Sequence, residues 1–442
     1  MESCGNISLD FRVVSKSYIG IAWGTPFQNK NKTSAVKMSD ESQSDFPSPE
    51  ILREAILNHL EYPVVFRNHS KSLNLPNIME SCGNISLDFR VVSKSYIGIA
   101  WENSGDYVEA SVSEFSAWQR ENFSHLSETN PFYKFPKENY WAYSSYNYMK
   151  NVFPEGSDIL KVLNWNAFGF PEVAATDCAF WIGSCGSYTP CHFDSYGCNL
   201  VAQIEGRKRW VLFPPTDDSF MYPSRIPYEE SSVFSSVNIK MPNYSVHPLF
   251  KESHPYVAVL NPGDVLFVPK KWWHFVESLD TTISINAWLK LDSDRESRLE
   301  ESVIRILMNN FISMYEPEGE CWLNLKEELL STDKTIDYMT SALEETKQQN
   351  QYNSSSKEEP DVHLVKSIKV SKESNIHSTH SYNNILKHNC IELLKPVPFT
   401  DIFYENSQEK DSSYNKTSIE NVINCFVHPD VISVICNKLK SL

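Results

Sequence analysis

From Ala179 onward the chain is written as short apolar runs separated by turn residues, and no other feature constrains its fold as tightly. The runs are Ala179–Gly183, Asn199–Ile204, Arg209–Phe213, Tyr256–Leu260, Val265–Val268 and Thr282–Trp288. Each has the length of a strand and is too short for a typical helix. They are rich in β-branched and aromatic side chains, which suit a pleated surface. The gaps carry Glu205-Gly206 and Asn261-Pro262-Gly263-Asp264, which are strong turn formers. Short strands at this spacing predict a mainly β barrel or jelly roll.

The flanks read differently. Ser48 is placed to cap a helix, with Pro49 in its first turn and Ile51, Leu52, Ile56 and Leu60 at helical spacing. Pro63–Phe66 reads as a short strand, and Ser113–Gln119 and Tyr140–Val152 as helices. Beyond Leu291, the residues Leu299, Val303, Ile306, Leu307 and Phe311 form one apolar stripe, and a second helix is expected at Trp322–Leu330. Residues 345–380 are polar, with little to bury, and read as a flexible linker. The tail Ser381–Leu442 regains apolar clusters. It is either a helical element packed back on the body or a partner-binding segment, and the pattern does not choose.

One repeat is identical: Met1–Trp23 and Met79–Trp101 have the same sequence. A working structural repeat recurs several times and diverges. This one does neither. Residues 1–37 therefore read as a duplicated or mis-assigned N-terminal segment, with a recent tandem duplication as the alternative. One fold has one slot for such a strand, so 1–37 is expected to be poorly packed. The division that follows is 38–125 as an N-terminal α/β part, 126–296 as the barrel, 297–347 as a helical extension, 348–380 as linker and 381–442 as a short helical segment.

Charge and cysteine content narrow the function. The formal net charge is −16, which argues against a protein that coats nucleic acid or anionic membrane through its overall field. No window holds the roughly 20 apolar residues of a bilayer span, and no secretory leader is evident. The ten cysteines are scattered without a C-x-x-C pair, so a zinc ribbon or redox motif is not indicated. The expected location is cytoplasmic, with the nucleus as the alternative.

The chemistry is concentrated around Thr189-Pro190-Cys191-His192-Phe193-Asp194 and, far downstream, Lys271-Trp272-Trp273-His274. On a strand, His192 and Asp194 point to the same face. With His274 from another strand they make two imidazoles and one carboxylate. That facial set leaves open positions on Fe(II) for a chelating cosubstrate and O₂. For an isolated His-x-Asp pair, an ordinary loop histidine is the simpler reading. The companions shift the balance. Thr189 stands at the lip of the same strand. Lys208 lies between strand-like runs, where an inward lysine would meet the far carboxylate of a dicarboxylate. Alternation cannot say which of Arg207, Lys208 and Arg209 points inward. Asn199, Gln203 and Asn286 fall on the inner strands, and each equally suits a core hydrogen-bonding role.

These motifs, in this order, resemble the JmjC-domain 2-oxoglutarate oxygenases. They are Trp181-Ile-Gly, Thr189 to Asp194, Asn199, Gln203-Ile-Glu-Gly-Arg-Lys-Arg-Trp-Val-Leu-Phe-Pro-Pro, Pro262-Gly-Asp-Val-Leu-Phe-Val-Pro, Trp272-Trp-His and Ser284-Ile-Asn-Ala-Trp. The likeness is to the small-JmjC group that includes an asparagine hydroxylase, and it covers about Pro47 to Leu291. The spacing from His192 to Lys208 is one residue longer than in that hydroxylase. The resemblance implies a double-stranded β-helix with flanking helices and a helical C-terminal extension. It implies His192, Asp194 and His274 as Fe(II) ligands and Thr189 and Lys208 as holders of the distal carboxylate of 2-oxoglutarate. Asn199 and Asn286 would lie beside the cosubstrate, joined by a tyrosine of Tyr140–Tyr143. Phe193, Trp272 and Trp273 would form an apolar shell around the metal. The implied activity is hydroxylation of a protein side chain. The alternatives are a tRNA-modifying hydroxylase and a non-catalytic scaffold whose partner is a small heat shock protein. The helix beyond Asp292 implies either a homodimer contact or an intramolecular cover for the barrel.

Overall fold

A computed structural model of the protein describes residues 46–69, 82–121, 125–315, 332–355, 388–403 and 419–442. The expectations for residues 1–37 and for a helix at Trp322–Leu330 lie outside these residues.

Among the described residues, fifteen strands form two antiparallel sheets. In chain order they are β1 Val64–Phe66, β2 Ser86–Ser93, β3 Asp106–Ser111, β4 Tyr140–Tyr148, β5 Ala179–Gly183, β6 Tyr188–Asp194, β7 Cys198–Glu205 and β8 Lys208–Phe213. There follow β9 Pro223–Ser224, β10 Ser232–Ser235, β11 Tyr256–Leu260, β12 Val265–Val268, β13 Trp273–Ser278, β14 Thr282–Leu289 and β15 Ile391–Leu393. The larger sheet runs β15-β1-β12-β7-β14-β5-β4-β2-β3 and the smaller β11-β8-β13-β6-β10-β9.

The alternation of each strand builds the layers. Leu200 and Ala202 of β7 and Ile283, Ile285 and Ala287 of β14 join an outer core. That core includes Leu52, Ala55 and Ile56 of helix α1 (Pro49–Asn58) and Phe115 and Trp118 of α2 (Val112–Arg120). The intervening Val201 faces the other way. It meets Leu266 and Val268 of its own sheet and Trp210, Leu212, Ala258 and Val276 of the smaller one. This inter-sheet layer is the interior of the double-stranded β-helix, and the polar positions of the same faces open into it.

The chain departs from its sequence pattern in three places. Tyr140–Tyr148 is a strand, β4, not a helix, and only Met149–Val152 makes a helical turn. It is inserted between β2 and β5, where its Tyr and Trp residues satisfy a pleated surface better than a helix. Residues 345–355 are helical, as the end of α4 (Thr332–Ser355), because that helix packs on α3 (Asp294–Tyr315) and borrows its order from the contact. The tail is not purely helical: Ile391–Leu393 adds a strand to β1 with Val64 opposite Leu393.

The described residues 419–442 pack back on the body. Helices α5 (Ile419–Phe426) and α6 (Pro429–Lys440) bury Ile423, Ile432 and Cys436 against Leu299, Val303 and Met308 of α3. Glu420–Lys440 has the length and mean hydropathy (1.2) of a membrane span. It is nevertheless broken by Pro429 into these two packed helices.

Candidate metal centre and dicarboxylate pocket

The site is assembled where β6, β8 and β13 of the smaller sheet face β7 and β14 of the larger. His192 sits directly across from His274 in the β6–β13 ladder and from Phe234 in the β6–β10 ladder. The next matched pair is Thr189 with Val276. Two steps along β13 therefore span three along β6, so β6 carries an extra residue, a β-bulge. The bulge corrects the parity. Thr189 and His192 are three residues apart, yet both face the interior.

Ligating atoms of His192, Asp194 and His274 lie within 4.8 Å of one another. Each histidine is oriented by its own strand: Nδ1 of His192 is 2.9 Å from the Pro190 carbonyl and Nδ1 of His274 is 2.9 Å from the Trp272 carbonyl. A carbonyl only accepts, so both Nδ1 atoms carry the proton and both Nε2 atoms present a bare lone pair. Burial, and then the neighbouring His274, push the His192 pKa down to about 4, against the pull of Asp194. The ring is therefore neutral at physiological pH, the state a ligand needs. Asp194 accepts a hydrogen bond from the Trp288 indole at 3.1 Å through Oδ2 and turns Oδ1 toward His192, 3.8 Å away. Two imidazole lone pairs and one carboxylate oxygen suit a divalent first-row transition metal.

The second half of the site is cationic. Gln203 donates to the Glu205 and Gly206 carbonyls and holds the β7–β8 turn. Gly206 has φ +61°, and a Cβ there would lie 2.0 Å from the Thr281 carbonyl oxygen, so the turn demands glycine. The turn delivers Lys208 to the interior, while Arg207 and Arg209 go outward to Asp280 and Glu277. Lys208 is 2 % exposed. Its ammonium donates to Ser284 at 2.8 Å and to the Tyr143 hydroxyl at 3.4 Å, and the Tyr143 hydroxyl also bonds Thr189. No carboxylate among the described residues pairs with it. Burial pushes its pKa down to about 7. A buried ammonium held only by hydroxyls is a site short of an anion.

Of the residues named from sequence, Thr189, His192, Asp194, Asn199, Lys208, His274 and Asn286 all face this interior. Asn286 donates to Asn199 at 2.9 Å and accepts from the Trp181 indole at 2.7 Å. The tyrosine beside Lys208 is Tyr143. Ser284 and Trp288 were not anticipated as site residues; they stand two positions either side of Asn286 on one face of β14, a period-2 signal that was there to be used. Tyr146 was missed for another reason. It lies at an irregularity of β4 with φ 53°, its ring 4.7 Å from Trp181, and a bulge leaves no trace in alternation. The aromatic shell also differs. Phe193 and Trp273 pack edge-on at 4.7 Å on the outer face of the smaller sheet, and Trp272 bonds the Glu61 carbonyl. The rings beside the histidines are instead Phe234, 5.6 Å from His192, and Trp210, 5.8 Å from His274.

Fold and site together define a β-helix protein with a His-Asp-His centre inside its barrel. Residues 28–295, more than half of the chain, match the family model described as the cupin-like domain, and the chain belongs to that family. It is similar to "HSPB1-associated protein 1" of Rattus norvegicus, 40% identical over 319 residues, which is 69% of this chain and 65% of the relative. The Homo sapiens protein of that name is 40% identical over 287 residues, 63% of this chain and 58% of the relative. Both matches thus span less than two thirds of the relatives' length. A shorter match, 38% identical over 108 residues (24% of this chain and 23% of the relative), is to "JmjC domain-containing protein D" of Dictyostelium discoideum.

Proposed function

We propose that the protein is an Fe(II)- and 2-oxoglutarate-dependent oxygenase that hydroxylates a protein side chain. The observation that carries this reading is the pairing of two oriented imidazole lone pairs and the Asp194 carboxylate with a buried ammonium, Lys208, that lacks an anion. A metal without a dicarboxylate would not need Lys208.

Iron and 2-oxoglutarate, when bound, would supply oxidative decarboxylation to succinate and CO₂, coupled to insertion of one oxygen atom of O₂ into a C–H bond. The protein's share is binding and geometry. His192, Asp194 and His274 hold the metal. Lys208, with the hydroxyls of Ser284, Tyr143 and Thr189, receives the far carboxylate of the cosubstrate. The Asn199–Asn286–Trp181 chain lines the larger sheet beside it. Phe234 and Trp210 stand beside the histidines as an apolar cover. The proposed location is cytoplasmic, with the nucleus as the alternative. RNA is the less favoured substrate class, since a net charge of −16 repels phosphate.

A second reading is a partner-binding protein. Val422, Phe426, Val431 and Val434 of α5 and α6 leave an exposed apolar face, and the relatives' name records association with HSPB1. A small heat shock protein and a second copy of the chain are the two occupants this reading offers. The deciding assay is succinate release by the full chain with Fe(II), ascorbate and 2-oxoglutarate under air, beside His192→Ala. The oxygenase reading expects turnover in the parent and none in the variant. Should 2-oxoglutarate with Mn(II) also fail to raise the melting temperature of the parent, the oxygenase reading is lost and the partner reading takes its place.

A further inference from the structure

Helix α3 carries two faces of opposite character. Leu299 and Val303 enter the apolar layer shared with α4, α5 and α6. Asp294, Arg298, Glu301 and Arg305 are spaced four, three and four residues apart and fall within about 60° of arc on the helix. This charged stripe is turned to the barrel, with Asp294 and Glu301 each 2 % exposed, Arg305 9 % and Arg298 half-buried.

Every member of the stripe holds one of two barrel segments, Ser195–Gly197 or Arg225–Ser231. Asp294 accepts from the Gly197 backbone N–H at 2.9 Å. The Arg298 guanidinium lies over the Tyr196 ring, 4.5 Å from its centroid. Glu301 takes both arms of the Arg225 guanidinium, at 2.9 and 2.6 Å, and accepts from the Ser231 N–H at 3.3 Å. Arg305 donates to Glu230 at 2.8 Å, and Glu230 accepts from the Tyr196 hydroxyl at 3.4 Å. The two segments are tied to each other by the Ser195 N–H on the Ser231 carbonyl at 2.7 Å.

The first segment begins directly after Asp194, and Ser232, which follows the second, pairs with Asp194 in the β6–β10 ladder. Trp288 bonds the Asp194 carboxylate, β10 pairs with its backbone, and the segments that follow Asp194 and precede Ser232 are both held from α3. A buried ion pair is a poor source of stability, because desolvation offsets most of its attraction. What it supplies well is fixed geometry, and a metal site tolerates displacements of only about 0.5 Å.

We propose that the charged stripe of α3 positions the Asp194 carboxylate for metal binding, with Asp294 and Glu301 as its positioning residues. This rests on the reading that His192, Asp194 and His274 hold a divalent metal. The C-terminal helical layer is thereby a functional support of the metal centre as well as a cover for the barrel.

The test is Co(II) binding to the full chain, followed by calorimetry and by the visible absorption of the bound ion, with melting temperature measured in parallel. Asp294→Ala removes the acceptor for Gly197, together with the Lys270 ion pair at 3.0 Å and the acceptor for the Leu291 N–H, and should weaken Co(II) about tenfold or more and alter the visible spectrum. Asp294→Asn keeps an oxygen toward that N–H and should restore the parent's spectrum and nearly its affinity. The double variant Arg225→Met/Glu301→Met replaces the ion pair by apolar bulk. It should melt no lower than the parent, yet still bind Co(II) about tenfold more weakly, because Ser231 has lost its acceptor. If affinity follows melting temperature in every variant, or stays at the parent's value in all of them, the stripe is structural and the proposal is overturned. If the parent itself binds no Co(II), the metal reading falls first and takes this proposal with it.

Discussion

Lys208 is a buried cation that no carboxylate among the described residues balances. Its ammonium is buried among hydroxyls, and burial pushes its pKa down to about 7 from 10.5. Between those values the unfolded chain binds more protons than the folded one, so stability rises with pH there and the cost of the lysine is greatest toward neutral pH and below. Lys208→Met should therefore stabilise the ligand-free protein by roughly a few kcal/mol and raise its melting temperature, while abolishing the further stabilisation expected from 2-oxoglutarate with Mn(II). A variant that loses stability and still responds to 2-oxoglutarate contradicts the assignment. The pH dependence of binding has the opposite sign. A dicarboxylate needs Lys208 charged, so above pH 7 binding must draw a proton from solution, and affinity should fall by up to about tenfold per pH unit. Calorimetric titrations with 2-oxoglutarate at pH 6.5, 7.5 and 8.5 would read it directly; a flat profile would place the carboxylate elsewhere. His192 and Asp194 were legible in sequence by their i, i+2 spacing and His274 by its place in the motif order, although neither β6 nor β13 stands among the runs that alternation identifies. Lys208 was legible only as one of three basic neighbours, since the choice among them is made by the Gly206 turn.

Elements were legible where their own residues decide them and illegible where a neighbour does. Helix α2 belongs to the first kind. Ser111 caps it by accepting from the Glu114 N–H at 3.1 Å, and the Glu114 carboxylate returns to the Ser111 N–H at 2.7 Å, so both orphan donors are met locally. Ser111→Ala should cost about 1 kcal/mol in urea unfolding without changing 2-oxoglutarate binding, since the helix lies on the outer core away from the metal. An unchanged midpoint would mean that the Trp118–Phe132 stack, 4.6 Å apart, holds the helix unaided. Strand β4 belongs to the second kind. Tyr140, Tyr143, Ser144 and Asn147 are spaced as on a helix, and only the unpaired edges of β2 and β5 make the segment a strand. The polar end of α4 likewise continues a helix whose Met339, Ala342 and Leu343 pack in the layer shared with α3, a contact that composition cannot report.

For the molecule as a whole, the duplicated segment poses a question of occupancy. The second copy contains Ser86–Ser93, which is β2, paired on one side with β3 and on the other with β4. Its Leu87, Phe89 and Val91 are buried in the outer core against the aromatic residues of α2. Arg90 reaches the other way, 1 % exposed, to the Ala100 and Tyr188 carbonyls. An identical first copy would need the same two neighbouring strands and the same cores, and β2 already fills that place. A sheet position is taken by one strand at a time, and on that ground we propose that the second copy alone serves the fold. A chain starting at Met38 should accordingly melt within about 1 °C of the full chain and respond equally to 2-oxoglutarate with Mn(II). A loss of 2 kcal/mol would lower the midpoint by about 2–4 °C in a protein of this size. A drop of that size, or a weakened response to the ligand, would show that the first copy contributes to the fold, and the reading of 1–37 as superfluous would be wrong.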